Sequence, residues 1–158
     1  TGLEHNEMGH PTNSPVLHTK MMAKRRRKLQ KLASELPRPK VYGPEEGNVL
    51  LIGWGSTQGC LREAVERARK SGDSISCLTM RHLMPMPGGL KEIFDGFHHV
   101  YVVETNDEGL NGYGQLAGLL RAKFCDKKIQ GINKTDGLTW RVSDILKRVQ
   151  EKLETAKD

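Results

Sequence analysis

A continuous apolar run at residues 49–52, bounded by Gly47 and Gly53, limits the fold more than any other feature of the sequence. A strand with one face in water alternates apolar and polar residues, whereas this run has four apolar residues in succession. It therefore predicts a strand buried on both faces. Such strands lie at the centre of parallel sheets whose faces are covered by helices, so the run indicates an α/β fold.

Strand and helix patterns alternate after this run. The sequence predicts a helix over 57–70, with Ser56 or Thr57 as its N-cap, and a final helix over 144–153 capped by Ser143. The other expected elements are strands at 75–79, 100–103 and 129–132, a short helix at 90–94 and a helix spaced by apolar residues over 113–120. This order predicts an α/β three-layer sandwich with a mostly parallel sheet and an N-terminal helical extension.

The distribution of charged residues and of Gly and Pro divides the chain into four segments. Residues 1–15 are expected to be an extended lead-in from an upstream domain, because the chain begins at Thr1 and is interpreted as a piece of a longer one. Residues 16–36 are expected to form a basic amphipathic linker helix, and residues 37–47 a linker rich in Pro and Gly. The α/β domain is expected to comprise residues 48–158. Residues 1–40 contain nine Lys and Arg against three Glu, which accounts for the whole net charge of +6.

Composition excludes several classes of protein. The 158 residues have a mean hydropathy of −0.57 and no apolar run near 18 residues, so we expect no membrane partner. Three cysteines without a C-x-x-C pair favour buried thiols in a reducing cytoplasm, and the six histidines show no metal-ligand spacing. The sequence has neither a nucleophile elbow nor a P-loop, and it predicts no catalytic residue and no metal site.

A glycine turn follows the first long strand. Gly53, Gly55, Ser56 and Thr57 precede the helix, whose free amides and dipole suit an anion, such as a phosphate of coenzyme A or of a dinucleotide. The third glycine of the dinucleotide pattern is one place late, and no acidic residue ends the second strand. The alternative is a tight strand-to-helix turn that needs glycine for conformational reasons.

Two further loops carry polar residues. Arg81 and His82 follow the second strand, where the arginine could clamp an anion or pair with Glu104 at the end of the third strand. Glu104 and Asn106 could contact a partner, but we favour a tie between neighbouring loops. These four residues are interpreted as an interface or substrate-side loop region.

The run of five basic residues at 24–28 offers an alternative function in nucleic-acid binding. No aromatic side chain accompanies it for base stacking, so we do not expect a nucleic-acid partner. A solvated or subunit-facing helix fits this pattern better.

Several motifs in one order then resemble a known family. They are residues 2–11 (GLEHNEMGHP), 53–57 (GWGST), 81–87 (RHLMPMP), 114–116 (GQL) and 133–137 (NKTDG). Their order resembles the C-terminal part of the alpha subunit of 2-oxoacid:ferredoxin oxidoreductases, most of all the 2-oxoglutarate enzymes. Met84 and Met86 differ from the Asn and Leu more usual there. The resemblance implies a transketolase C-terminal-like domain.

The resemblance also implies a function within a complex. The family oxidatively decarboxylates a 2-oxoacid, forms acyl-coenzyme A and reduces ferredoxin, with thiamine diphosphate, magnesium and iron–sulfur clusters as cofactors. The G-D-G…N motif and the cluster cysteines belong to the beta subunit in that family, so the resemblance implies a beta-subunit partner, no cofactor in this segment and no activity of the segment alone. An independent nucleotide-binding domain remains the alternative.

Overall fold

A computed structural model describes residues 3–156 of the chain. These residues form two compact units. One contains the described residues up to Pro37 together with His82–Gly88, and the other contains Arg38–Arg81 and the described residues from Gly89 onward. Within 3–156, no helix combines the length and the apolar character needed to cross a membrane.

The first unit is built on a long helix. A hairpin of β1 (Glu4–His5) and β2 (Pro11–Thr12), which the pattern did not predict, precedes α1 (Pro15–Glu35). Ser14 caps α1, because its hydroxyl accepts a hydrogen bond from the Leu17 amide at 3.4 Å. The helix ends where Leu36 turns extended, the conformation that a following proline favours.

One ion pair fastens the hairpin to α1. The Arg25 guanidinium donates to both carboxylate oxygens of Glu4, at 2.7 and 2.8 Å, and Glu4 is buried. The hydrogen bond from Arg25 lowers the pKa of Glu4 to about 2. The lead-in therefore gains its order from a contact with the helix that follows it.

The second unit contains a five-stranded sheet. Its elements are β3 (Val41–Tyr42), β4 (Gly47–Trp54), α2 (Gln58–Lys70), β5 (Ile75–Met80), α3 (Leu90–Asp95), β6 (Phe97–Glu104), α4 (Gln115–Phe124), β7 (Ile129–Asn133) and α5 (Val142–Thr155). The strand order is β3-β5-β4-β6-β7, in which the four longer strands are parallel and β3 is an antiparallel edge strand. The α/β fold with a mostly parallel sheet is confirmed, although β3 was not predicted.

Helices cover both faces of this sheet. Val49 and Leu51 pack on one face with buried side chains of α2 and α5. Leu50 and Ile52 are also fully buried and point to the opposite face, since successive strand residues alternate. α3 contacts β6, and α4 contacts β6 and β7. The two helices bury apolar side chains, among them Phe94 of α3. The result is three layers with the sheet in the middle.

One of the two predicted caps in this unit is at the expected position, and the other is wrong. Thr57 is the N-cap residue of α2, one of the two residues predicted for it, but its side chain makes no capping hydrogen bond: Gly55–Thr57 already form a 3₁₀ turn, and the Thr57 hydroxyl donates to the Trp54 carbonyl at 3.0 Å. α5 begins earlier than predicted, with Arg141 at the N-cap and no side-chain bond there. Ser143 lies inside that helix and bonds the carboxylate of Asp144 instead.

Candidate functional site

The carboxyl ends of the four parallel strands lie together at one edge of the sheet, which we call the carboxyl edge. β4 ends at Trp54 beside Met80 of β5, and β6 ends at Glu104 beside Asn133 of β7. In open parallel sheets, ligands bind at this edge because the loops that follow the strands converge there. The predicted site residues that belong to this unit all lie on or next to these strand ends.

Glu104 is the centre of the carboxyl edge and is almost completely buried, with 1% of its surface exposed. Its Oε1 accepts from the Leu116 amide at 2.8 Å and its Oε2 from the Ala117 amide at 3.0 Å. These amides belong to the first turn of α4, where free N–H groups and the helix dipole stabilise negative charge. Oε1 also accepts from Asn106 at 3.0 Å and from the Trp54 indole at 3.4 Å. Glu104 thus ties the loops after β4 and β6 to α4.

Asn106 and Asn133 extend this tie to β7. The side-chain amide of Asn133 donates to Asn106 Oδ1 at 2.7 Å and to the Asn106 carbonyl at 3.3 Å. We call Glu104, Asn106 and Asn133 the polar cluster. Gly114 packs directly on it: a Cβ there would overlap Glu104 Oε2 and Asn133 Nδ2 and would lie 2.8 Å from Asn106 Oδ1. The cluster therefore requires glycine at the start of α4.

The glycine turn has a conformational explanation. A Cβ at Gly53 would overlap the Thr57 hydroxyl and a methyl group of Leu61, so glycine allows α2 to pack closely against the end of β4. Gly55 has a φ of +62°, in the left-handed region that favours glycine. Of the two polar residues of the turn, Ser56 is exposed, whereas Thr57 is buried.

A pocket of about 230 Å³ opens beside this turn, and we call it the edge pocket. It is lined by Ser56, Thr57, Cys60, Thr105, Gly137, Leu138, Thr139 and Trp140. The lining consists of hydroxyls, a thiol, an indole and an aliphatic side chain, and it includes no charged group. Within residues 3–156, the hydroxyls of Ser56, Thr105 and Thr139 make no hydrogen bond, which leaves them free for a ligand.

The loop after β7 forms one wall of the edge pocket and is held by ionic contacts. The Lys134 ammonium donates to the Thr139 carbonyl at 3.1 Å and lies 3.2 Å from the Asp136 carboxylate and 3.7 Å from that of Asp144. Asp136 also accepts from the Leu138 amide at 2.9 Å, and this bond is the main reason why the pKa of Asp136 lies below its ordinary value. The wall is therefore held in place by contacts within this domain.

Trp140 completes that wall. The Lys134 ammonium lies 5.6 Å from the centroid of its ring, a cation–π distance. The side chain is 7% exposed, and its indole N–H is buried with no hydrogen-bond acceptor in the described part of the chain. Such an unpaired donor is uncommon, since most buried polar groups are satisfied.

The basic loop does not form the ion pair that the sequence allowed. Arg81 and His82 are exposed, and neither makes a hydrogen bond or an ion pair with the residues that the structure describes. The carboxylate of Glu104 is taken by the amides of α4, and β4 lies between β5 and β6 in the sheet. The alternative pairing of Arg81 with Glu104 is therefore wrong, whereas the tie formed by Glu104 and Asn106 is present.

The cysteines differ from one another. Cys77 is buried in β5, and burial raises its pKa to about 11. Cys60 is half-buried at the edge pocket, and burial raises its pKa as well. Cys125 is exposed, so the prediction that all three are buried thiols is wrong for this residue. Among residues 3–156, no three His, Cys, Asp or Glu side chains are grouped so that they could hold a metal ion.

Sequence reasoning missed the residues that complete the edge. Trp54, Thr139 and Trp140 were not singled out as site residues, although each lies at or after the carboxyl end of a strand. Their positions after β4 and β7 were the available signal, because loops of neighbouring parallel strands meet. The sequence pattern indicates Asn133 only as the first residue of the motif at 133–137.

A family profile matches most of the second unit. Residues 47–145 match the family described as pyruvate:ferredoxin oxidoreductase core domain II. This range runs from the start of β4 into α5 and includes the polar cluster and the edge pocket.

Curated relatives match nearly the whole chain. The alpha subunit of 2-oxoacid:ferredoxin oxidoreductase 2 from Aeropyrum pernix is 36% identical, with 96% of this chain and 24% of the relative covered. The 2-oxoglutarate oxidoreductase subunit KorA from Mycobacterium tuberculosis is 31% identical, with 91% and 22% covered. The chain thus spans about a quarter of the length of these relatives.

Solved structures agree with this likeness. The 2-oxoglutarate:ferredoxin oxidoreductase from Magnetococcus marinus, solved with 2-oxoglutarate, coenzyme A and succinyl-CoA bound, matches with a TM-score of 0.80 and 34% identity. The match covers 96% of this chain and 26% of that one. A split-gene transketolase matches with a TM-score of 0.54 over 71% of this chain and 40% of that one at 18% identity, a likeness of fold alone.

Proposed function

Because the chain belongs to the pyruvate:ferredoxin oxidoreductase core domain II family, we propose that it is a supporting domain of the alpha subunit of a 2-oxoglutarate (2-oxoacid):ferredoxin oxidoreductase. The likeness over 96% of the chain to a 2-oxoglutarate:ferredoxin oxidoreductase is the observation that carries this proposal. The complete enzyme would decarboxylate its 2-oxoacid oxidatively, transfer the acyl group to coenzyme A and reduce ferredoxin.

The cofactors of that reaction belong, in this proposal, to other parts of the complex. Thiamine diphosphate with magnesium needs oxygen donors grouped around the metal, and an iron–sulfur cluster needs several cysteines. The described residues do not fit either group, since they form no such cluster of donors. A beta subunit is the partner that would supply them. We place the complex in the cytoplasm, because all three cysteines are free thiols.

In this proposal, the chain provides a carboxyl edge with a fixed conformation for contact with the other parts of the complex. The polar cluster fixes the ends of β6 and β7 against α4, so the loops at this edge keep their shape before a partner binds. The turn of Gly53, Gly55, Ser56 and Thr57 contacts coenzyme A at the edge pocket. Arg81 and His82 face the substrate side or a subunit interface, which their exposure and lack of internal partners support.

The reduction of methyl viologen tests the proposal. The purified chain should give no reduction with 2-oxoglutarate and coenzyme A, whereas the assembly that contains it should reduce the dye with both substrates present. Omission of coenzyme A and replacement of 2-oxoglutarate by pyruvate are the substrate controls. Turnover by the chain alone, or an assembly that is inactive with every 2-oxoacid, would contradict the proposal.

A pair of bulky substitutions tests the coenzyme A contact. Ser56→Trp places an indole at the edge pocket and should raise the KM for coenzyme A in the assembly without a matching rise for 2-oxoglutarate. Gly59→Trp is the matched control, because Gly59 lies on the next turn, does not line the pocket and has open space at its Cβ position. Equal effects of the two variants on that KM would rule out the contact.

A further inference from the structure

A second pocket lies at the opposite edge of the sheet, where β4 and β5 begin, and we call it the amino-edge pocket. It has a volume of about 220 Å³ and opens between α2, α5 and the loop before β5. Its lining residues are Asn48, Val49, Arg67, Ala68, Ser71, Asp73, Ser74, Ile75, Leu146, Val149, Gln150 and Leu153. It therefore shares no residue with the edge pocket or with the polar cluster.

The floor of the amino-edge pocket is apolar. Val49, Ile75 and Val149 are buried there, whereas Leu146 and Leu153 of α5 are only half-buried. An apolar group placed on this floor would remove the remaining aliphatic surface from water, which favours its binding.

The rim of the pocket has one group of each charge. Asp73 is exposed, and its carboxylate makes no hydrogen bond or ion pair with the residues that the structure describes. The Arg67 guanidinium bonds the Glu63 carboxylate through one terminal nitrogen. A guanidinium has five N–H donors, and the other nitrogens of Arg67 have no acceptor within residues 3–156. Both charged residues can therefore bind a ligand.

Two neutral side chains add to the polar rim. Asn48 and Gln150 are exposed, and in the described part of the chain neither side-chain amide makes a hydrogen bond. Each amide has an oxygen that can accept from an ammonium group and an NH₂ group that can donate to a carboxylate.

These groups limit the ligand to a small zwitterion with an apolar part. A ligand with a single charge would use either Asp73 or Arg67 and leave the other without a counter-charge. The volume of about 220 Å³ is below the range of roughly 300–1,000 Å³ that is typical for drug-sized ligands. An α-amino acid with an aliphatic or aromatic side chain combines an ammonium, a carboxylate and an apolar group within that size.

We propose that the amino-edge pocket binds a free apolar α-amino acid, with its ammonium group on Asp73 and its carboxylate on Arg67. The side chain of the ligand lies on the apolar floor between α2 and α5. This inference does not depend on the proposed function, because the pocket is at the other edge of the sheet and binding can be measured without turnover.

Amide resonances in NMR spectra of the isotope-labelled full chain provide the test. Titration with leucine should shift the resonances of Ser74 and Gln150 in a saturable way. Isoamylamine lacks the carboxylate and isocaproate lacks the ammonium, so each should bind at least about fivefold more weakly, because a charge-assisted hydrogen bond is lost. The 2-oxoacid with the carbon skeleton of leucine also lacks the ammonium and should be as weak. Glycine has no apolar side chain and should give no saturable response.

Two matched pairs of variants test the charged groups. Asp73→Asn should weaken leucine binding at least about fivefold, whereas Glu154→Gln should leave it unchanged, because Glu154 is exposed on α5 and does not line the pocket. Arg67→Gln should have the same effect as Asp73→Asn. Arg69→Gln is its control, because Arg69 lines a different pocket beside β3.

Several results would overturn the inference. One is the absence of a saturable response to leucine at millimolar concentration. Another is binding of isoamylamine, isocaproate or the 2-oxoacid less than about fivefold weaker than that of leucine, since one of the two charges would then be unnecessary. A saturable response to glycine would show that the floor is not used, and equal effects of the two variants in either pair would show that the charged group is not a ligand contact.

Discussion

Replacement of Glu104 by Gln should destabilise the second unit although the two side chains have nearly the same shape. Both carboxylate oxygens face donors: Oε1 accepts from the Leu116 amide, Asn106 and Trp54, and Oε2 accepts from the Ala117 amide. A glutamine places an NH₂ group against donors in either orientation of its amide. The substitution therefore removes an acceptor from a buried N–H group whichever way the side chain turns.

The size of the effect follows from these contacts. A hydrogen bond to a charged group contributes about 1.5–3 kcal/mol, and a negative charge at a helix N-terminus adds about 0.3–1 kcal/mol. The loss of one such bond and of the charge predicts a decrease of about 2–4 kcal/mol in the free energy of unfolding. This is a large share of the roughly 5–15 kcal/mol that stabilises a typical domain.

Urea unfolding followed by circular dichroism measures this change. With a slope of about 2 kcal/mol per molar urea, the midpoint should fall by about 1–2 M. Glu108→Gln is the matched control, because Glu108 is exposed in the same loop and its side chain makes no hydrogen bond or ion pair with the residues described; its effect should stay within about 0.5 kcal/mol. The exchange of the Leu116 and Ala117 amides with deuterium should become faster only in the Glu104 variant.

A small effect would refute this reasoning. If Glu104→Gln and Glu108→Gln lower the midpoint equally, the buried carboxylate does not stabilise α4, and the account of the polar cluster is wrong. Faster amide exchange without a loss of stability would also contradict it, since the same hydrogen bonds are held responsible for both.

Three further predictions concern other parts of the chain. The lowered pKa of Glu4 means that its ion pair stabilises the hairpin above pH 4.5 and is lost as the pH falls toward about 2, so hairpin resonances in NMR spectra should shift in that window and not in Glu4→Gln. Gly114→Ala should destabilise the protein by about 1–3 kcal/mol through overlap, whereas Gly118→Ala, in the same helix with open space at its Cβ position, should stabilise it by about 0.4–1 kcal/mol; equal effects in urea unfolding would contradict this. Iodoacetamide followed by mass spectrometry should label exposed Cys125 first and buried Cys77 only on unfolding, and early labelling of Cys77 would show that the strand is not buried.

The local pattern was sufficient to predict the main helices and strands. The apolar run at 49–52 became the fully buried middle of β4, because a strand with no polar face needs cover on both sides. The stripe of Leu61, Ala64, Val65 and Ala68 became the buried face of α2. In these segments local propensity and tertiary burial favour the same structure, so the sequence is informative.

Elements that depend on distant partners could not be predicted in this way. β3 has two residues, and only its pairing with Cys77 and Leu78 of β5 makes it a strand. Thr57 has the chemistry of a helix cap, but the preceding 3₁₀ turn places it in a helical conformation, where the hydroxyl bonds backward to Trp54. In both cases the deciding contact lies outside the local window.

The order of strands in the sheet explains why the polar residues of the carboxyl edge were only partly assigned. Arg81 follows β5 and Glu104 ends β6, the second and third of the predicted strands, so the sequence allowed a pair between them, but β4 lies between β5 and β6 in the sheet. Two strand spacings amount to about 9.6 Å, so Glu104 finds its partners on β4, on β7 through Asn106, and on α4. The carboxylate is therefore used inside the domain, whereas the guanidinium of Arg81 is exposed and pairs with no carboxylate among the residues that the structure describes.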